Sequence, residues 1–211
     1  MIYSKYNFPS CPSNIICFTG DDISNDMIEK CFMIDNDFFE EKYLYNRERV
    51  KSWIKKYNEF CFVFYDLKKN EIIGYNFILL IDISAFKKYL NGEISYFTLG
   101  SSQFVNDKNN CDAALLYLST AYSPNSKISL LMSMTQNAIT DLIIDYKLKS
   151  NVNIKYYFLD AVCKFDEEYA MSMKLKPYKI TAYGSKIFAE RFNVESFFSK
   201  ATNYNILKKI Y

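Results

Sequence analysis

The stretch AALLYLSTAYSPNSKISLLMSMTQNAITDLIIDYKLK, residues 113–149, decides the fold of this chain. It opens with an apolar run over residues 113–121, which is typical of a β-strand buried on both faces. A polar Ser-Pro-Asn-Ser segment follows. From Lys127 to Lys149 the apolar residues recur at the spacing of one helix face. The stretch therefore predicts a buried strand followed directly by a long amphipathic helix.

The junction between this strand and this helix resembles a phosphate site in one respect and differs in another. Strand-to-helix junctions often hold phosphates because backbone N–H groups and the helix dipole both point at the anion. Such junctions usually carry glycine, and this one has none. Lys127 lies at the predicted helix start, where a cation opposes the dipole unless an anion is bound. The junction is either a phosphate site without glycine or an ordinary turn.

The composition favours one soluble globular domain. The chain has 211 residues, of which 50% are hydrophobic and 18% aromatic, so there is enough apolar material for a core. The formal net charge is only +2, whereas nucleic-acid binding usually requires a basic face. The apolar runs are far shorter than the roughly 20 residues that span a bilayer. We therefore expect no nucleic-acid partner and no membrane segment.

The absence of histidine restricts the chemistry. It excludes histidine-dependent triads, histidine metal sites and histidine as a general base. The 6 cysteines form no C-x-x-C pair, so we expect no metal site. The N-terminal segment MIYSKYNFPS lacks the features of a signal peptide. We expect a cytoplasmic protein with reduced thiols, in which Cys17, Cys61 and Cys163 act as small core residues.

The rest of the chain alternates between strand and helix patterns. Strands are predicted at residues 14–18, 60–66, 72–82, 154–162 and, within 178–192, on both sides of Gly184. Helices are predicted at residues 24–38, 46–57, 84–90 and 166–175, with Ser24 and Asp166 as N-caps. Gly74 predicts either a bulge or a close backbone approach in the second strand of a hairpin. Residues 99–112 are predicted to form a long polar loop, either functional or mobile.

This element order resembles the GNAT (Gcn5-related N-acetyltransferase) fold over residues 15–192. Three segments carry the resemblance: FVFYDLKKNEIIGYNFILLI, LLYLSTAYSPNSKISLLMSMTQNAI and YYFLDAVCKFDEEYAMSMKLKPYKI. The resemblance implies an α+β (mixed α/β) fold, with a central, mainly antiparallel twisted sheet and helices on both faces. We expect a single domain over residues 1–211, in which residues 193–211 are a C-terminal extension.

The same resemblance implies an acyl-CoA donor, either acetyl-CoA or another acyl-CoA. The backbone at the end of the buried strand would pair with the pantetheine arm, as a peptide adds to a sheet edge. The family's phosphate loop aligns with residues 127–132, where Lys127 keeps the basic position and Leu130 and Met132 replace small residues. The implied cofactor-binding residues are Leu118, Ser119, Thr120, Ala121, Tyr122, Lys127, Ile128, Ser129, Leu130, Leu131 and Met132.

Acetyl transfer to an amine needs a route for the amine's proton and an acid for the leaving thiolate. Without histidine, the base is a carboxylate or a water chain. Tyr122 and Tyr169 are the candidate catalytic acids. Asp160 is a weaker candidate for a buried charge, and Cys163 would be a nucleophile for which no activating base is visible.

Two kinds of function stay open. In the first, the protein is an acyl-CoA-dependent N-acyltransferase whose acceptor is a small-molecule or peptide amine. In the second, it is a catalytically inactive module that binds acetyl-CoA as a sensor or binds a protein partner, and the missing loop glycines favour this alternative. A homodimer is a further expectation.

Overall fold

The computed structural model describes residues 14–39, 41, 44, 46–57, 61–105, 110–122 and 128–193. This part of the chain contains the strands β1 (Ile15–Thr19), β2 (Cys61–Asp66), β3 (Glu71–Asp82), β4 (Asp112–Tyr122), β5 (Asn153–Ala161), β6 (Lys176–Ile180) and β7 (Lys186–Arg191). Its α-helices are α1 (Asn25–Phe38), α2 (Arg47–Lys56), α3 (Ile83–Asn91), α4 (Ile128–Ser150) and α5 (Lys164–Ser172).

The strands form one sheet in the order β1-β2-β3-β4-β5-β7-β6. The pairs β1–β2, β2–β3, β5–β7 and β6–β7 are antiparallel, and β4–β5 is parallel. Every residue from 113 to 118 of β4 is buried, with an exposed fraction of 7% or less. The predicted mixed, mainly antiparallel sheet is confirmed, and so is the central position of the apolar strand.

The chain divides into two compact units. The first unit consists of Met1–Phe77 and Ser119–Leu142, and the second of Ile78–Leu118 and Ile143–Tyr211. The boundaries fall inside β3, β4 and α4. That residues 1–211 form a single domain stays a prediction.

The first unit contains α1 and α2. As predicted, Ser24 caps α1, and its Oγ accepts the backbone N–H of Met27 at 3.2 Å. In α1 the buried carboxylate of Asp35 accepts a hydrogen bond from the Tyr75 hydroxyl of β3. The predicted apolar stripe of α2 is buried through Val50, Trp53 and Ile54.

The β2–β3 hairpin, also in the first unit, is closed by Asp66. Its Oδ1 accepts the Lys68 backbone N–H at 2.8 Å and the Asn14 side-chain amide at 2.9 Å. The Asn14 amide and, less strongly, the backbone N–H groups of the turn hold the pKa of Asp66 below its ordinary value. Gly74 pairs with Phe64 next to a register shift, which confirms the predicted bulge.

In the second unit, α3 packs on β5 through aromatic rings. The Phe86 ring centroid lies 4.7 Å from that of Tyr156 and 5.0 Å from that of Phe158. Gly92 ends α3 in the left-handed conformation with φ +81°, which suits a residue without Cβ.

Part of the predicted long loop is packed. Phe104 forms a β-bridge with Ile81, and the Val105 N–H donates to the Leu80 carbonyl at 3.0 Å. Leu99, Phe104 and Val105 are buried, because these apolar side chains gain more from the core than from water. Residues 106–109 of this loop lie outside the described part of the chain.

Asp66→Ala should lower the free energy of unfolding at pH 7, because the hairpin loses the acceptor of its closing hydrogen bonds. A carboxylate with a depressed folded pKa stabilises the fold above its unfolded pKa of about 4 and loses that effect as pH falls through the folded pKa. Denaturant unfolding should therefore show a parent–variant difference that is full at pH 7 and shrinks towards pH 2. Glu71→Ala, an exposed change in the same hairpin, is the control. A difference independent of pH would contradict the role of the charge.

Candidate functional site

The end of β4 and the start of α4 form the strand–helix junction that the sequence singles out. The pairing register of β4 with β5 runs from Asp112 to Tyr117, and β4 continues to Tyr122. The long helix begins at Ile128. A central strand followed by a long helix is confirmed, whereas residues 123–127, including Lys127, lie outside the described residues.

The other predicted cofactor-binding residues fall on these two elements. Residues 118–122 end β4, and residues 128–132 begin α4. Leu118, Tyr122 and Leu131 are buried. Residues 119–122 and 128–132 belong to the first unit, and Leu118 belongs to the second. Their role toward a cofactor stays a prediction.

A buried amide, that of Asn76 in β3, joins Tyr122 to α4. Asn76 Nδ2 donates to Tyr122 Oη at 2.9 Å and to Thr135 Oγ1 at 2.7 Å. Thr135 in turn donates to the Leu131 carbonyl at 3.0 Å. Asn76, Tyr122 and Thr135 are each at most 1% exposed, so this network lies in the core of the first unit.

The Thr135 hydroxyl determines how the amide is oriented. Its single proton goes to the Leu131 carbonyl, so Thr135 Oγ1 must accept from Asn76, and only Nδ2 can donate. The second Nδ2 hydrogen then meets the phenolic oxygen of Tyr122, which also has a longer contact of 3.3 Å as donor to Asn76 Oδ1. Tyr122, a predicted acid, thus has its hydroxyl inside a buried hydrogen-bonded network.

Sequence reasoning missed Asn76 and Thr135. Asn76 did carry a signal, because it is the one amide in the apolar run IIGYNFILLI, and a buried amide is costly unless it is hydrogen-bonded. Thr135 carried none, since a threonine on a helix can equally face water. Its importance depends on what lies beside it in the folded chain.

Tyr169, the other predicted acid, lies on α5 in the second unit. Its side chain is 5% exposed. Its ring meets Tyr117 edge-on, with centroids 6.2 Å apart, and stacks on Phe165 at 6.3 Å. The ring of Tyr169 therefore packs between aromatic neighbours on β4 and α5.

The start of α5 differs from the prediction. The helix begins at Lys164 with Cys163 as N-cap, so the prediction of Asp166 as the cap is wrong. Asp166 Oδ2 instead accepts the Val162 N–H at 3.0 Å from within the first turn, which allows the helix to begin earlier. Burial raises the pKa of Asp166 to about 6, although the Val162 N–H acts in the opposite direction.

Two further candidates lie beside this helix start. Burial raises the pKa of the Cys163 thiol to about 11, and the nearby Asp166 charge adds to this, so the thiol is protonated and a poor nucleophile at neutral pH. Cys17 and Cys61 are buried as predicted, whereas Cys163 is only partly buried. Burial also raises the pKa of Asp160, whereas hydrogen bonds from Ser185 and Tyr89 lower it. The Tyr89 hydroxyl donates to Asp160 Oδ2 at 2.7 Å.

Solved structures share the fold of this chain. NAA60 of Arabidopsis thaliana, in complex with acetyl-CoA, is 12% identical, with 84% of this chain and 99% of that chain covered and a TM-score of 0.53. Ard1 from Thermoplasma volcanium is 12% identical, with coverages of 85% and 99% and a TM-score of 0.51. The loading GNATL domain of CurA from Lyngbya majuscula is 9% identical, with coverages of 84% and 97% and a TM-score of 0.53.

At these identities the similarity concerns the fold alone, and the chain has the GNAT fold. No protein-family model matches the sequence, and no curated protein matches it significantly. None of the helices in the described part of the chain has the length and apolar character needed to cross a membrane.

Asp166→Asn should make stability less dependent on pH. Because the folded pKa lies above the unfolded value of about 4, the folded state takes up the proton first, and this group lowers the free energy of unfolding as pH rises from about 4 to about 6. Asparagine keeps an acceptor for the Val162 N–H and does not titrate. Between pH 4 and pH 7 the free energy of unfolding of the variant, measured with denaturant, should rise relative to that of the parent by up to about 3 kcal/mol.

Glu168→Gln, on the exposed side of the same helix, is the matched control for this experiment. It should follow the parent at each pH. If Asp166→Asn also runs parallel to the parent, the carboxyl titrates at its ordinary pKa and the prediction is wrong.

Proposed function

We propose that the protein is an acyl-CoA-dependent N-acyltransferase that transfers an acyl group, acetyl in the simplest case, to an amine. The observation that carries the proposal is the course of β4. Its register with β5 ends at Tyr117, the strand runs on to Tyr122, and a long helix begins at Ile128. Backbone N–H and C=O groups of residues 118–122 would pair with the pantetheine arm of the acyl donor, as in strand addition.

The first turn of α4 would receive the pyrophosphate of CoA. The first four N–H groups of a helix have no partner within it, and with the helix dipole they favour an anion. Here they lie at the start of α4, which begins at Ile128. Lys127, directly before the helix in the sequence, would add a charge-assisted contact.

The fold comparison supports an acyl-CoA donor. NAA60, which shares the fold of this chain, was solved with acetyl-CoA. A fold by itself does not specify an activity, so the proposal rests on the junction and the comparison together.

In the proposed reaction the amine nitrogen attacks the thioester carbonyl carbon, so that a C–N bond forms and the C–S bond breaks. The amine gives up a proton to a carboxylate or a water chain, since the chain has no histidine. The leaving thiolate takes a proton from an acid. Tyr122 and Tyr169 stay the two candidates for this acid.

Acetyl-CoA should raise the melting temperature of the protein. A ligand at about 100 times its Kd adds about 2.7 kcal/mol of stability. ADP, which lacks the pantetheine arm, is the control ligand. Release of free thiol in the presence of a panel of small amines and peptides measures turnover. A shift with turnover supports the proposal, a shift without turnover favours the sensor, and no shift at millimolar acetyl-CoA favours a protein-binding module.

Lys127→Ala should weaken acetyl-CoA binding in calorimetric titration. A charge-assisted hydrogen bond is worth about 1.5–3 kcal/mol, which corresponds to about one to two orders of magnitude at low salt and less at high salt. Lys149→Ala is the matched control, because it removes the same charge from the last turn of α4, where Lys149 pairs with Asp145 at 2.7 Å. Equal affinities of Lys127→Ala and the parent would make the junction an ordinary turn.

A further inference from the structure

Asn76 is a polar residue in an apolar position of β3. The run from Ile72 to Ile81 in β3 is buried throughout, and Asn76 itself is fully buried. An amide in such a place costs free energy unless its hydrogen bonds are made, and an apolar side chain would carry no such cost. The two hydrogens of Nδ2 are both used, one on Tyr122 and one on Thr135. The amide therefore ties together two elements that follow it in the chain.

These two partners lie on the elements of the proposed acyl-CoA site. Tyr122 is the last residue of β4, and Thr135 lies on α4 one turn beyond Leu131. Thr135 passes the connection on, because its hydroxyl donates to the Leu131 carbonyl in the first part of the helix. Asn76 itself is held by the hairpin, where it is paired with Phe62 of β2. The network thus connects both elements of the site to the β2–β3 strand pair.

We propose that Asn76 is a positioning residue for acyl-CoA binding, and that its amide, through Tyr122 and Thr135, holds the end of β4 and the first turns of α4 in the arrangement that the donor requires. The inference rests on the proposed function. Preorganisation of this kind increases affinity because the ligand does not have to order the two elements on binding. Tyr122 then serves the site through the hydrogen bond that it accepts.

The test is calorimetric titration of acetyl-CoA into variants of the full chain. Thr135→Val keeps the size of the side chain and removes the hydroxyl, whereas Thr135→Ser keeps the hydroxyl. We expect Thr135→Val and Tyr122→Phe to bind about three- to tenfold more weakly, Asn76→Leu about tenfold more weakly, and Thr135→Ser like the parent. Because the three residues act through one amide, Asn76→Leu with Thr135→Val should bind no more weakly than Asn76→Leu alone.

Val50→Ala separates positioning from a general loss of stability. It removes buried methyl groups from α2 in the same unit and none of the hydrogen bonds of the network, so it should melt earlier and bind acetyl-CoA like the parent. Should Asn76→Leu fail to fold, the Thr135→Val and Thr135→Ser pair still decides. Parent-like affinity in Thr135→Val, or an equal loss in Val50→Ala, overturns the inference while the proposed function stands. Absence of binding by the parent overturns the proposed function itself.

Discussion

The central strand β4 needs hydrogen-bond partners for its backbone on both edges, because the residues from Ala113 to Leu118 are all buried and have no access to water. A buried backbone group without a partner costs about as much as a lost hydrogen bond. Strand β3 lies on one edge of β4 and β5 on the other, and the remaining strands are added outside these two.

The parallel pairing of β4 with β5 imposes a second requirement. Parallel neighbours cannot be joined by a tight turn and need a crossover connection, usually a helix. The 23 residues of α4 provide it. A long helix after the central strand is therefore part of how this sheet is built, and the proposed acyl-CoA site lies where the crossover begins.

Buried polar groups select the arrangement of the elements within each unit. In the first unit Asp35 of α1 is bound by Tyr75 of β3, and Asn76 binds Tyr122 and Thr135. In the second unit the Tyr89 hydroxyl of α3 donates to Asp160 of β5. Each of these contacts is lost if the elements shift, and in a low-dielectric interior that loss is costly.

The sequence by itself determined the elements and the centre of the sheet, because these depend on local patterns: apolar periodicity, a serine before a helix, a glycine in a strand. It could not determine the hydrogen-bond partners of buried polar side chains. Its neighbours in the chain predict Asp166 as a cap, whereas its carboxylate accepts the Val162 N–H. Nor does the sequence show that the phenol of Tyr122 accepts a hydrogen bond from Asn76, 46 residues away. The Asp166–Val162 contact is local and depends on where the helix begins. The Asn76–Tyr122 contact joins distant segments, which only the tertiary structure brings together.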